Sequence, residues 1–506
     1  MENFHRTYSR ILLAGIATAA LSTPALADQR DDKIKSLEQK LDALLGELTE
    51  LKQEQAADKD ALSKQVLDLK RSAASQYTDS QKPKPHVTQS ATNKFGFESA
   101  DGKFSIAPTG VVQIDTGGYL NFHPASAAVG PQRLTSGVNA RRARIGVAGK
   151  AFGDWSYKFI YDGGNSQDTT AGGINAAQIS YGGFKGVIID LPGYSSTPFT
   201  MDQATSANDL LFLERSTPTN VAIGLNAGDS RTNTGVRFFG DRYWIGAYFT
   251  GPASGDSHTG VSERFGAFQR AAFQVVSAPD YAVHLGVAVD ELLQAPDTGV
   301  GTAKAITLSD RPELRIDPTS LIAAGFGTVA NPVTGARVIN GEAAAEYKNF
   351  LVQGEYFNYE VSRRNLADAT FNGGYVQASW VLTGERHGYD KTTAAYAGIT
   401  PAHPFSLGGD GYGAWELAAR ISYLNLNDRF VAGRSLASQP NAINGGKQTS
   451  YTLAANWYVN SLLRLGVNYI HTDFKKTNGT AVAGAGLGAP VGAKADALAL
   501  RAQFQY

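Results

Sequence analysis

Residues 140–162 read ARRARIGVAGKAFGDWSYKFIYD, and from Arg142 onward every second residue changes character. Arg142, Arg144, Gly146, Ala148 and Lys150 share one parity, while Ala143, Ile145, Val147 and Gly149 share the other. Past the Gly153-Asp154 turn, Trp155, Tyr157, Phe159 and Tyr161 fall together, opposite Lys158 and Asp162. A period of two marks a β-strand, because successive side chains point to opposite faces of a sheet. One face is apolar and ends in aromatic rings; the other carries guanidinium, ammonium and carboxylate groups.

The same alternation returns in about sixteen segments, from 104–117 to 495–506. AWELAARISYL (414–424), SYTLAANWYV (450–459) and ALALRAQFQY (497–506) show it most clearly. Alternate joints are very short (Gly153-Asp154, Gly240-Asp241, Asn460-Ser461), and most of the others are long. Apolar faces ringed by aromatics, polar opposite faces, and short turns alternating with long loops describe an outer-membrane β-barrel. A soluble sandwich also alternates, but with shorter strands and less consistent aromatic ends. The expected fold is all-β and transmembrane: an antiparallel barrel of about sixteen strands over residues 95–506, behind an N-terminal coiled-coil helix. The assignment is weakest at 291–340, where RPELRID offers another strand, and in the long 384–412 joint.

Composition narrows the functional classes. The 46 basic and 46 acidic residues cancel, so net charge implies no polyanion and no nucleic-acid partner is expected. The absence of cysteine rules out disulfides and thiolate metal sites. At the N-terminus, Arg6 and Arg10 precede the apolar run 11–22 and the small-x-small Ala25-Leu26-Ala27, which reads as a signal peptide over 1–27. No later stretch approaches the ~20 apolar residues of a transmembrane helix.

Residues 28–71 follow another rule. Ile34, Leu37, Leu41, Leu44, Leu48 and Leu51 recur at spacings of three and four, the seam of a coiled coil, and therefore of an oligomer. Gln55 and Asp58 interrupt the seam before Leu62 and Leu69 resume it. A lone amphipathic helix lying on the barrel would show the same spacing. Residues 72–94 are Ser, Thr, Gln, Lys and Pro with few apolar side chains, and are expected to be a flexible linker.

Parity sorts the barrel charges. Arg142, Arg144, Lys158, Arg237, Arg264, Arg270, Arg420, Arg464 and Arg501 fall on the lumen side, with Asp115, Asp162, Asp290, Glu342, Glu346 and Glu416. An arginine facing lipid at mid-depth costs roughly 2–4 kcal/mol, which lumen parity avoids. Arg141 has lipid-facing parity and is expected to snorkel from the strand's loop end. The long 193–220 joint contains the apolar LLFL and then Glu214-Arg215, so it is expected to fold inward and narrow the pore with both residues near the constriction. A basic lining concentrates anions, and the arginine fork matches phosphate or carboxylate oxygens; alternatively each arginine only neutralises a lumen acid. No nucleophile elbow, HExxH or complete phosphate loop appears, so neither enzyme activity nor a cofactor is expected.

The chain resembles the phosphate-selective porin O and P family. ARRARIGVAGKAFGDWSYKFIYD (140–162), SANDLLFLERS (206–216), NGEAAAEYKNFLVQGEYF (340–357), GGYVQASWVLTGE (373–385), GGDGYGAWELAARISYLNLND (408–428) and LRLGVNYIHTDF (463–474) carry the likeness. The resemblance implies a trimeric sixteen-stranded barrel in the outer membrane of a Gram-negative bacterium. Its inward third loop and basic ladder would pass anions, phosphate above all; the coiled coil would lie in the periplasm. One departure stands out. The family usually shows a pattern like GQFKEPFS at the start of the inward loop, but this chain has PGYSSTPFT (192–200), with Ser195 and Ser196 in place of the charged pair. Passage of small anions is therefore expected more than tight phosphate selectivity. A general or sugar-preferring porin, or a barrel tethering the cell wall through the coiled coil, are the alternatives.

Overall fold

A computed structural model describes residues 27–81, 85–89, 95–128, 130–164, 172–228, 230–254, 256, 261–481 and 484–506. Apart from Ala27, the expected signal peptide lies outside them. The chain divides into an N-terminal helical unit and a β-barrel unit.

Helix α1 spans Ala27–Gln81. The seam residues Ile34 to Leu51 are each 49–63 % exposed. The helix continues through Ser72–Gln81, where the sequence reading places a linker. No glycine or proline occurs between Gly46 and Pro83, so nothing local stops the helix earlier. His86–Gln89, inside the same expected linker, is a strand paired with Phe95–Glu98.

The barrel has sixteen antiparallel strands. They are β1 (Ser105–Pro124), β2 (Gly137–Ala151), β3 (Trp155–Asp162), β4 (Gly173–Tyr181), β5 (Val187–Ser195), β6 (Arg231–Phe239), β7 (Tyr243–Ala253) and β8 (Phe265–Ser277). The others are β9 (Tyr281–Gln294), β10 (Val333–Tyr347), β11 (Phe350–Arg363), β12 (Ala369–Val381), β13 (Ala414–Asp428), β14 (Ile443–Tyr458), β15 (Leu463–Lys475) and β16 (Ala493–Gln505). The last strand pairs with the first, Arg501 opposite Asp115, which closes the sheet and removes its edges. Alternation is nearly unbroken along β10: Val338, Asn340, Glu342 and Ala344 are buried, and Ile339, Gly341, Ala343 and Ala345 are exposed. Phe152 and Gly153 turn β2 into β3 with φ of 55° and 85°, a left-handed conformation that glycine adopts without a Cβ clash.

Among the described residues, three connections fold into the barrel. Residues 196–230 contain helices α2 (Met201–Ala204) and α3 (Thr217–Leu225). Between them, Leu210–Leu213 are only 2–5 % exposed. Leu211 and Phe212 pack on Ala418 and Ala454, and Leu213 on Ile470, Ala497 and Ala499. The alanines make room on the wall, and each large side chain so buried contributes about 1.5–3 kcal/mol. Residues 295–332 form the second inward connection, a hairpin of Ile306–Asp310 with Ile322–Phe326. RPELRID (311–317), offered as a strand by the sequence, is instead an irregular tip. Leu314 is fully buried beside Leu213, and the Glu313 carboxylate accepts from Arg420, Ser422, Thr452 and the Thr217 amide. The third connection, 382–413, enters from the end that carries the short turns. Arg270 donates to the carbonyls of Thr393 and Ala394, Trp244 to that of Thr392, and His387 bonds Glu416.

Candidate functional site: the lumen cavity

Inside the barrel, mainly along β2–β7, lies a cavity of about 650 Å³. Its charged lining consists of Arg144, Lys158, Arg215 and Arg237 against Asp190 and Asp390. Strand parity brings three of these cations to the lumen. Arg144 on β2 holds Asp162 on β3 (2.8 Å), and Arg237 on β6 holds Asp190 on β5 (2.7 Å) and the Tyr248 hydroxyl (2.9 Å). Arg215 comes from the inward loop and donates to the carbonyls of Asp202, Gln203 and Thr205, which fastens the end of α2. Lys158 on β3 is exposed to the lumen and has no hydrogen bond or ion pair among the described residues. Its partners across the strands are Ala148 and Gln178.

The other sequence-predicted cations have different places. Arg420, Arg464 and Arg501 hold the inward loop to the β13–β16 wall. Arg420 pairs with Glu313 (2.6 Å), donates to the Glu214 carbonyl and lies 4.3 Å over the Phe212 ring. Arg464 donates to the carbonyls of Asn208 and Leu210, and Arg501 clasps Asp115 at 2.6 and 2.7 Å while bonding the Leu213 carbonyl. Arg270 is completely buried against Glu342 (2.8 Å), and Arg264, just before β8, donates to the final carbonyls of α3. Arg142 is 1 % exposed and bonds Gln113; its Nε has no partner. Four of the ten predicted cations therefore meet in the cavity, and most of the rest hold inward segments in place.

Arg141 corrects the parity argument. The β1–β2 register slips at Gln113, which pairs with Arg142, while Ile114 pairs with Ala140. Arg141 is the extra residue of this bulge and points inward beside Arg142 rather than toward the interface. It grips Glu214 with two bonds of 2.6 and 3.0 Å. Arg501 (3.2 Å) and Arg315 (3.8 Å) approach the same carboxylate. Burial pushes the Glu214 carboxyl up, but Arg141, Arg501 and Arg142 outweigh it and hold the group well below the usual carboxylate range. Both residues are buried (3 % and 5 % exposed): Glu214 belongs to the loop's anchorage through Arg141, and its neighbour Arg215 lines the cavity.

Sequence reasoning missed several residues here. Asp190 joins Ser180, Arg237 and Tyr248, and its signal was a lone acid in the apolar run VIID (187–190). Glu355 accepts from the amides of Met201 and Asp202 and from Tyr375, so a wall carboxylate meets the start of α2. No local pattern announced Glu313, because its partners Arg420, Ser422, Thr452 and Thr217 come from distant segments.

Residues 112–506 match the family described as phosphate-selective porin O and P. The chain belongs to that family. Porin O of Pseudomonas aeruginosa is 23 % identical to this porin over 405 residues, covering 76 % of this chain and 86 % of the relative. Among solved structures, the trimer form of OmpT from Vibrio cholerae is 13 % identical and covers 80 % of this porin and 99 % of its own chain, with a TM-score of 0.45. An anion-selective porin from Comamonas acidovorans is 13 % identical, covers 80 % and 100 %, and has a TM-score of 0.42. In this porin Ser195 and Ser196 both line the cavity. Ser195 donates to Gln178 (3.4 Å) and accepts from Asn233 (2.9 Å), while Ser196 accepts from Gln203 (2.8 Å).

Proposed function

We propose that this outer-membrane porin passes small anions by passive diffusion through the cavity along β2–β7, and that it does so as a homotrimer. The cavity lining carries the reading: four cationic side chains face two carboxylates in a chain whose total charge is zero. A confined basic surface raises the local anion concentration and lowers the barrier to anion entry. The inward loop narrows the lumen, with Arg215 on the cavity side. The exposed leucine seam of α1 supports self-association, because burying it against copies of itself removes apolar surface from water. On this reading the helix projects into the periplasm and the barrel exterior meets outer-membrane lipid.

The test is the reversal potential of purified protein in a planar bilayer under a tenfold potassium chloride gradient. A potential displaced toward the chloride equilibrium value is the expected result. A value at zero, or displaced toward potassium, would overturn the anion reading and mean that the lumen acids cancel the field of the arginines.

A further inference from the structure

Resting on that anion-porin reading, we propose that the preferred solute is a monoanionic polyhydroxylated carboxylate of the sugar-acid class, and that Lys158 is the residue that selects it. Three observations carry this.

The first is the state of the cations. Of the four that line the cavity, Arg144 and Arg237 already hold Asp162 and Asp190, and Arg215 is spent on three backbone carbonyls. Lys158 alone of the four has no protein partner among the described residues, and it is exposed although it sits inside the barrel. The small Ala148 beside it leaves the ammonium room to move. A guanidinium fork suits two oxygens of one phosphate or carboxylate, whereas an ammonium is a point charge that takes a single anionic group of either kind in no fixed geometry.

The second is the acids. Asp390 lines the same cavity with no ion pair among the described residues, its carboxylate accepting only from Thr392. Near neutral pH, phosphate is partly a dianion. Both of its charges meet the unpaired Asp390 across a space of about 650 Å³, Asp190 being held by Arg237. A monoanion meets Asp390 with half the charge, and Lys158 neutralises it completely.

The third is the neutral lining. Across β3–β6 the neutral polar lining of this cavity includes Ser156, Asn175, Gln178, Ser180, Ser195 and Asn233, with Ser196 at the start of the inward loop. Hydroxyls and amides both donate and accept, so they match a chain of alcohol groups, which also do both. Phosphate offers mainly acceptors and leaves the acceptor half of that lining unused. A cavity of this size admits a six-carbon acid together with water.

The experiment uses the full-length protein in planar bilayers, measuring chloride current while sodium gluconate, sodium phosphate or sodium acetate is added at neutral pH. Gluconate is expected to inhibit the current at a concentration about tenfold below that needed for phosphate or acetate. Lys158→Gln should raise the inhibitory gluconate concentration about tenfold, the loss expected for one hydrogen bond to a charged group; Lys158→Arg should restore most of it. Inhibition by phosphate at or below the gluconate concentration would overturn the class, and that comparison needs only the wild-type protein. Equal inhibition by acetate would overturn the role of the hydroxyls. Unchanged gluconate inhibition in Lys158→Gln would overturn the role of the lysine. A wild-type channel without anion selectivity would instead remove the underlying porin reading, and the reversal potential identifies that failure separately.

Discussion

Replacing Glu214 by Gln keeps the side chain's size and removes its charge. The carboxylate is 3 % exposed and makes two bonds to Arg141, at 2.6 and 3.0 Å, with Arg501 a third contact at 3.2 Å. Arg501 retains Asp115, so Arg141 bears most of the loss. Removing one member of a buried pair costs about 3–5 kcal/mol, because the remaining charge stays out of water without compensation. Glutamine still accepts one bond, which places the effect near 3 kcal/mol. At about 1.4 kcal/mol per factor of ten, undocking of the inward loop should become roughly a hundredfold more frequent. Hydrogen exchange followed by mass spectrometry should show faster exchange over 205–216, with the barrel strands unchanged, and single-channel records should gain excursions to higher conductance. Arg141→Gln combined with Glu214→Gln should recover part of the loss, since both buried charges are then gone. Unchanged exchange over 205–216 in the single variant would refute the assignment of Glu214 as the loop's anchor.

Two further outcomes follow from parity and from the third inward connection. Ile145→Arg, on an outer-face residue 72 % exposed, should cost about 2–4 kcal/mol in a urea titration of folding into lipid vesicles, whereas Ala148→Arg on the lumen face should cost less; equal losses would contradict the orientation of β2. Burial pushes His387 down, but Glu416, the Ala397 carbonyl and Glu346 outweigh it and raise the group above its usual 6.5. A raised histidine stabilises docking fully below 6.5 and loses that contribution as pH rises through the folded value. Proteolysis within 382–413 should therefore quicken as pH rises above 6.5, and His387→Asn should abolish the pH dependence; a rate that falls with rising pH would reverse the sign and reject the argument.

The barrel was readable because its constraint is local and repeated. Each strand separates lipid from lumen, so Ile145 and Arg144 had to fall on opposite parities, and sixteen segments repeat that division. The site was less readable. Parity states which cations point inward but not what else enters from a connection. Arg420 met Glu313, and Arg464 met the carbonyls of Asn208 and Leu210, from segments far away in sequence. Arg141 escaped because a single bulge inverts parity, and nothing within ARRAR marks its position.

From its sequence alone this chain determined a lipid-facing apolar surface, a charged interior, the strand number and an apolar loop that water would not tolerate. Those properties rest on side-chain chemistry at a period of two, which survives without knowledge of long-range contacts. Only the tertiary structure decided which charges remain available. Three connections fill the barrel beside most of its arginines, whose donors are taken up by carboxylates and carbonyls. On β3, Lys158 has no hydrogen bond or ion pair among the described residues, and its ammonium is left to the lumen.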